Sequence, residues 1–344
     1  MHTAQSIIND LKAGKVQSLY FLMGEEPFFI DQVSTYFETA LLAEAARGFD
    51  QTVVYGKDTT IDMLVSNAKR YPMISDRQLI IVKEAQNLSR TIEQLLPYAK
   101  QPQPSTTLVL CYKYKSLDKR KALYKALSKQ HIVLDSKRIY DSKIPAWISS
   151  HLQNKALQIT PKAAHLLAEF LGNDLAKITN ELGKLELVVG EDRNITPELI
   201  EHNIGISKDF NNFELQNALA NGNQVKAYQI VQYFSKNSNQ HPIVLTIATL
   251  YSFFSKIMTL HTVDSQNPQT MAKAIGVNPY FLKDYTTAAR YFPMRRISGV
   301  FETLRLMDVK SKGVDANLSP KDLYQELLFR IFKWHSQCRP VGRS

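Results

Sequence analysis

The chain has 344 residues, 44% hydrophobic and 22% charged, and its 42 Lys+Arg against 32 Asp+Glu give a formal charge of +10. That length exceeds one ordinary core, so two or three domains are expected; the composition excludes a disordered or fibrous chain, and the charge favours acidic partners such as nucleic acid or an acidic protein. Two distant cysteines, Cys111 and Cys338, and eight scattered histidines argue against a disulfide framework or a zinc cage, and suggest a reducing cytoplasm.

No apolar run approaches the roughly 20 residues of a membrane span, and the first residues lack a basic stretch followed by an apolar one. Neither a membrane partner nor secretion is therefore expected. From residue 18 to about 135, strand-like and helix-like segments alternate. Ser18–Met23 is an apolar run ending at Gly24, and Pro27 then opens a helix with Ile30, Val33, Phe37 and Leu41 on one stripe. Thr52–Tyr55, Leu79–Val82, Thr107–Cys111 and His131–Leu134 read as further strands. Between them, helices are marked by Ile61, Leu64, Val65 and Ala68 behind an N-capping Thr60, by Ile92, Leu95 and Leu96, and by Leu123 and Leu127. Continuous apolar strands separated by helices imply a parallel sheet covered on both faces.

Past residue 140 the strand signals nearly vanish. Pro145, Thr160-Pro161 and Thr196-Pro197 open helices, and Leu175, Ile178, Leu182 and Leu185 mark another, forming a small helical domain that ends near residue 208. The remainder is helical too. Ile243–Leu260 is apolar all round and is expected to be a central buried helix, with Tyr251, Phe253 and Phe254 in the core. Ser265–Pro268 and Lys312–Asp315 read as loops, and Trp147 and Trp334 as packing residues. The fold class is α/β plus all-α: an α/β domain over 1–140, a small helical domain over 141–208 and a second helical domain over 209–344.

The strand-turn-helix at Gly24 has the shape of a phosphate-binding loop without its side chains. Such a loop needs Gly, four residues, then Gly-Lys-Ser/Thr. Here the second glycine slot holds Phe29, the lysine slot Ile30 and the hydroxyl slot Asp31, while Glu25 and Glu26 would repel an anion. The acidic pair that would hold magnesium at the end of another strand is also missing, because Leu79–Val82 runs into Lys83-Glu84. No cofactor, metal site or intrinsic catalysis is expected.

Leu22–Ile30, Asp76–Val82, Leu117–Lys121 and Asn180–Leu185 resemble, in order and spacing, the hallmark segments of the delta subunit family of bacterial DNA polymerase III. The resemblance covers essentially the whole chain. It implies an AAA+-like N-terminal domain without a working ATP site, a small helical lid and a C-terminal helical collar. It further implies assembly with the gamma/tau and delta-prime clamp loader subunits, binding and opening of the beta sliding clamp for loading onto primed DNA, and membership of a complex with DNA-directed DNA polymerase activity.

The resemblance places the clamp contact in Arg70–Asp76, with Met73 and Ile74 as wedge residues and Tyr71 beside them. This chain lacks the aromatic that relatives often carry at the second slot, so Tyr71 is the candidate for the ring. Taken from the residues alone, two readings of the segment stand: the apolar side chains tuck under the sheet, or they form an anchor on a turn fixed by Pro72, with Lys69, Arg70 and Arg77 steering it to an acidic partner. A second cluster, Lys113, Lys115, Lys119, Arg120 and Lys121 with Lys125, interleaved with Tyr112, Tyr114 and Tyr124, suits DNA backbone or subunit contact, or else a solvated face. Arg295-Arg296 is a further candidate for DNA, and Asp308, Lys310 and Lys312 for collar contacts. An ATP-hydrolysing AAA+ protein with a diverged loop, and a stand-alone basic nucleic-acid-binding protein, stay open as alternatives.

Overall fold

The computed structural model describes residues 2–205, 207–314 and 318–336, without the side chains of 334–336. Cys338, the Trp334 side chain and Asp315 of the expected loop lie outside the described residues. The chain divides into two compact units, Met1–Tyr140 and Asp141–Ser344.

The first unit runs α1 (Ala4–Lys12), β1 (Leu19–Gly24), α2 (Pro27–Tyr36), α3 (Glu44–Asp50), β2 (Gln51–Tyr55), α4 (Ile61–Ala68), β3 (Gln78–Lys83), α5 (Leu96–Lys100), β4 (Thr106–Lys113), α6 (Ala122–Gln130) and β5 (Ile132–Ser136). Its five strands are all parallel, in the order β2-β3-β4-β1-β5. Successive residues of a strand point to opposite faces. Thus Leu19, Phe21 and Met23 enter one core cluster while Tyr20 and Leu22 enter the other, and β3 and β4 divide in the same way. Both faces are dry, which is why these strands read as unbroken apolar runs rather than alternating ones.

Thr60 caps α4 as expected, its hydroxyl accepting from the Met63 N–H at 3.3 Å. The helix expected around Ile92, Leu95 and Leu96 is instead two single 3₁₀ turns, Ala85–Leu88 and Ile92–Leu95, followed by the five-residue α5. Pro97 explains the break: it lacks an N–H, and its ring would collide with the carbonyl of an α-helix running through from residue 93. Helices α1 and α3 are additional to the sequence reading. Thr3 and Ser6 form a reciprocal cap on α1, a signal present in the sequence.

The second unit comprises α7 (Ile144–Gln153), α8 (Pro161–Leu171), α9 (Leu175–Val188), α10 (Pro197–Ile204), α11 (Asn212–Ala220), α12 (Gln224–Lys236), α13 (Ile243–Leu260), α14 (Pro268–Ala274), α15 (Leu282–Tyr291), α16 (Met294–Ser311) and α17 (Pro320–Ser336). A two-stranded parallel ladder, β6 (Gln158–Ile159) with β7 (Asn194–Ile195), lies where strand signals were absent; two residues are too few to leave a pattern. Within this unit Glu169 of α8 accepts the Asn212 and Phe213 N–H groups, at 2.7 and 3.2 Å, and so closes the N-terminus of α11. Burial pushes its carboxyl up to about 7 against those hydrogen bonds.

The expectation for Ile243–Leu260 requires correction. Thr246, Ile247, Leu250, Phe253, Phe254, Ile257 and Leu260 are buried, but Leu245 and Tyr251 are 60% and 57% exposed. The packing of α13 against α11, α15, α16 and α17 covers one side only, leaving apolar residues on the other. By length and composition α13 is apolar enough to cross a membrane, contrary to the sequence reading; its buried stripe belongs to the core of this unit. Charged residues assigned to collar and to DNA contacts also have partners inside the unit. Lys310 pairs with Glu326 at 2.8 Å and ties α16 to α17, Lys312 pairs with Asp308 at 2.6 Å, and Arg296 donates to the Tyr291 carbonyl at 3.0 Å.

Gly24 ends β1 at φ +134°, and a Cβ there would lie 2.0 Å from the Ser136 carbonyl oxygen of β5. Both the backbone angle and the space exclude a side chain. Gly24→Ala is expected to lower stability by about 3 kcal/mol, the scale of forced backbone strain plus overpacking. A urea midpoint unchanged from the parent would contradict the close approach.

Candidate functional site

The carboxyl ends of the parallel strands are the usual ligand-binding edge of an α/β sheet. Here that edge is filled by the protein's own charges. Glu26 is buried and caps α2, its Oε1 accepting the Phe28 N–H at 3.2 Å, so an internal carboxylate sits at the helix N-terminus. The Glu26 carbonyl accepts the Ser136 hydroxyl at 2.7 Å, which fastens this turn to β5. Ile30, in the lysine slot, is fully buried in the core, and Phe29, in the second glycine slot, is half-buried against the same cluster.

Asp31, in the hydroxyl slot, pairs with Lys113 at 2.8 Å, and Lys113 also reaches Glu84 at 3.0 Å. One ammonium at the end of β4 thus bridges the two positions where hydroxyl and acidic ligands would hold magnesium. Burial lowers the Lys113 pKa, but the two carboxylates raise it by more; burial raises Glu84, and Gln86 and Lys113 bring it below the usual carboxylate range. Glu84 itself adopts a left-handed backbone, φ +53°, immediately after β3. Gly56 permits this turn, since a Cβ there would meet the Glu84 carbonyl oxygen at 2.5 Å. Lys83 turns to Glu38, 2.7 Å away.

The amino ends of the strands carry a different arrangement. Between α4 and β3, residues 69–77 form an irregular loop on which Tyr71, Met73 and Ile74 are 78%, 77% and 60% exposed. The side chains therefore do not tuck under the sheet. The loop backbone is fixed by Asp50, the last residue of α3, a residue the sequence reading passed over. Its Oδ1 accepts the Met73 N–H at 2.5 Å, and its Oδ2 accepts Ile74 N–H at 2.9 Å, Ser75 N–H at 2.6 Å and the Ser75 hydroxyl at 2.7 Å. Burial alone would raise the Asp50 pKa; the converging donors outweigh it and hold the carboxyl far below the usual range. No local pattern signals this contact, because its partners stand 23 to 25 residues away in sequence. Lys69 and Arg70 are exposed at the loop's start, and Arg77 at its end donates to Thr107 Oγ1 at 3.0 Å.

The basic cluster near residue 113 separates into unlike parts. Lys113 is spent on the bridge just described, with little of its side chain exposed. Lys119 pairs with Asp135 at 3.0 Å, Arg120 holds Asp118 through both its Nε and Nη2 at 3.0 and 2.8 Å, and Lys121 lies 3.7 Å from Glu93. Lys115 and Lys125 are exposed, as is Tyr114, whereas Tyr112 is buried in the core. Cys111 is buried as well, and burial pushes its thiol up to about 11, so it is an inert packing residue.

Two family models match the chain: DNA polymerase III, delta subunit, over residues 20–137, and DNA polymerase III delta subunit, C-terminal domain, over residues 209–329. The DNA polymerase III subunit delta of Bacillus subtilis (strain 168) is 24% identical over 312 residues, covering 88% of this chain and 90% of that protein. The solved structure of a Bacillus subtilis DNA clamp loader delta protein aligns with TM-score 0.54 and 22% identity, over 96% of this chain and 99% of that one. The RuvB Holliday junction branch migration motor of Thermotoga maritima aligns at TM-score 0.35 and 12% identity, over 84% and 85%. With both family models matched in order along the α/β unit and the helices that follow it, the chain belongs to the delta subunit family of bacterial DNA polymerase III, a clamp loader component.

Proposed function

We propose that this chain is the non-catalytic, cytoplasmic clamp-opening subunit of its loader: it docks on the beta sliding clamp through Met73 and Ile74, with Tyr71 alongside, and springs the ring so that primed DNA can enter. The observation that carries the reading is the presentation of two large apolar side chains in water on a backbone held from beneath. A monomeric fold gains nothing from that exposure, whereas an anchor seated in a partner's pocket gains most of an interface's energy. The cations Lys69 and Arg70 beside it suit an acidic partner. The collar over 209–344 is the part that assembles with gamma/tau and delta-prime, and the exposed Leu245 and Tyr251 of α13 suit such a subunit contact. Exposure of the wedge in the single chain leaves any masking of it to those neighbours.

The absence of catalysis is inferred from the filled edge of the sheet. A triphosphate with magnesium would have to displace the Glu26 carboxylate and break both Lys113 pairs. Calorimetry with Mg-ATP is expected to show no micromolar binding. Micromolar affinity abolished by changing Gly24 would restore the ATPase reading.

The Lys113 bridge should contribute stability instead. The depressed Glu84 pKa makes its share present above the ordinary glutamate range of about 4.3 and lost as pH falls through the lower folded value. The raised Lys113 pKa makes its share present below about 10.4 and lost as pH rises through the higher folded value. Lys113→Met is expected to cost about 1–2 kcal/mol at neutral pH, a figure reduced for the solvent around Asp31, and the difference from the parent should shrink in acid. Urea titrations at pH 7 and pH 3 check this; a pH-independent difference would contradict it.

Met73→Ala with Ile74→Ala is expected to weaken capture of the beta clamp by about 2 kcal/mol or more. Surface plasmon resonance on a normally folded double variant decides; unchanged affinity would remove these residues from the interface.

A further inference from the structure

We propose that Asp50 is a positioning residue of the docking loop: its carboxylate holds the backbone of Met73, Ile74 and Ser75 so that the two apolar side chains are presented together. The proposal rests on the reading that Met73 and Ile74 dock on the clamp, and it names what prepares them to do so.

Three consecutive backbone N–H groups converging on one point form a concave nest, a geometry that elsewhere binds free anions. In this chain the anion is a side chain, 1% exposed, planted where α3 meets β2. That junction is rigid for its own reasons. Asp50 closes a helix, and Gln51 begins a ladder in register with Leu79 of β3. The loop runs into β3 through Asp76 and Arg77, so it is tied covalently at its end and by the Asp50 carboxylate in its middle. Ser75 tightens the arrangement, its hydroxyl lying 2.7 Å from Asp50 Oδ2 and 2.8 Å from the Arg77 carbonyl.

Backbone order with side-chain exposure is an unusual pairing. An irregular loop whose side chains face water would ordinarily sample many conformations and lose that freedom on binding. Fixing it beforehand removes most of this loss from the association step. The carboxylate is buried while the apolar side chains are exposed, so it improves docking without touching the partner.

The test compares binding of the beta clamp by the full chain, its Asp50→Asn and Ile74→Ala variants and the combination. Asp50→Asn puts an amide NH₂ where an acceptor is needed, and is expected to weaken binding about tenfold, the scale of a lost preorganising contact. Because it acts through the anchor, the same change in an Ile74→Ala background should cost no more than about threefold. Equal losses in both backgrounds would mean that Asp50 supports only the fold, and would overturn the proposal. Parent-like binding by Asp50→Asn alongside clear loss in Met73→Ala/Ile74→Ala would overturn it too, while leaving the docking site standing. Parent-like binding by that double variant would bring down the docking reading, and this proposal with it. Hydrogen exchange on the parent chain needs no variant to fold: the Met73, Ile74 and Ser75 amides should exchange at least about a hundredfold slower than in an unfolded chain. Unprotected amides there would overturn the proposal.

Discussion

Backbone N–H groups that leave a helix or strand without a partner must find an acceptor, and in this chain carboxylates supply it at three decisive places. Glu26 covers the start of α2, Glu169 covers the start of α11, and Asp50 covers the loop before β3. The first fills a helix N-terminus, the kind of position that receives phosphate in nucleotide-binding α/β proteins. The second fastens α11 to α8 within the helical unit. The third converts a floppy connection into a shaped one.

These local choices divide the α/β unit between its two sheet ends. At the carboxyl ends of the strands, the protein's own ions and the Gly24–Ser136 approach leave a compact, internally satisfied edge. The left-handed backbone at Glu84, costly for a residue with a Cβ, is kept because it turns that carboxylate to Lys113. At the amino ends the balance is reversed, with the loop backbone satisfied and the apolar side chains of Tyr71, Met73 and Ile74 left exposed. The carboxyl-end edge is scaffold, and the docking surface proposed above lies at the other end of the same sheet.

Much of this was legible from residues in order. The buried strands announced themselves because both faces of the sheet are apolar, and Thr60, Thr160 and Thr196 marked helix starts through chemistry local to the turn. The departure from a phosphate-binding loop was visible in slots occupied by Phe29, Ile30 and Asp31. Position in space was not legible. Whether Tyr71, Met73 and Ile74 face water or core depends on a carboxylate distant in sequence, and composition is silent on that. Lys113 looked like its basic neighbours because its two acidic partners lie on other elements. The sidedness of α13 was hidden for a related reason: apolar residues around a whole helix do not say how many neighbours it will have.

The central claim is that the residue 73–74 turn is the surface that meets the clamp. The most direct measurement places a photo-crosslinking amino acid at position 73, at 74, or at the still more exposed Leu187 of the helical unit, and irradiates each chain with the beta clamp. Adducts with the clamp from 73 and 74 but not from 187 are predicted. A chain that still binds the clamp yet gives adducts only from 187 would contradict the account.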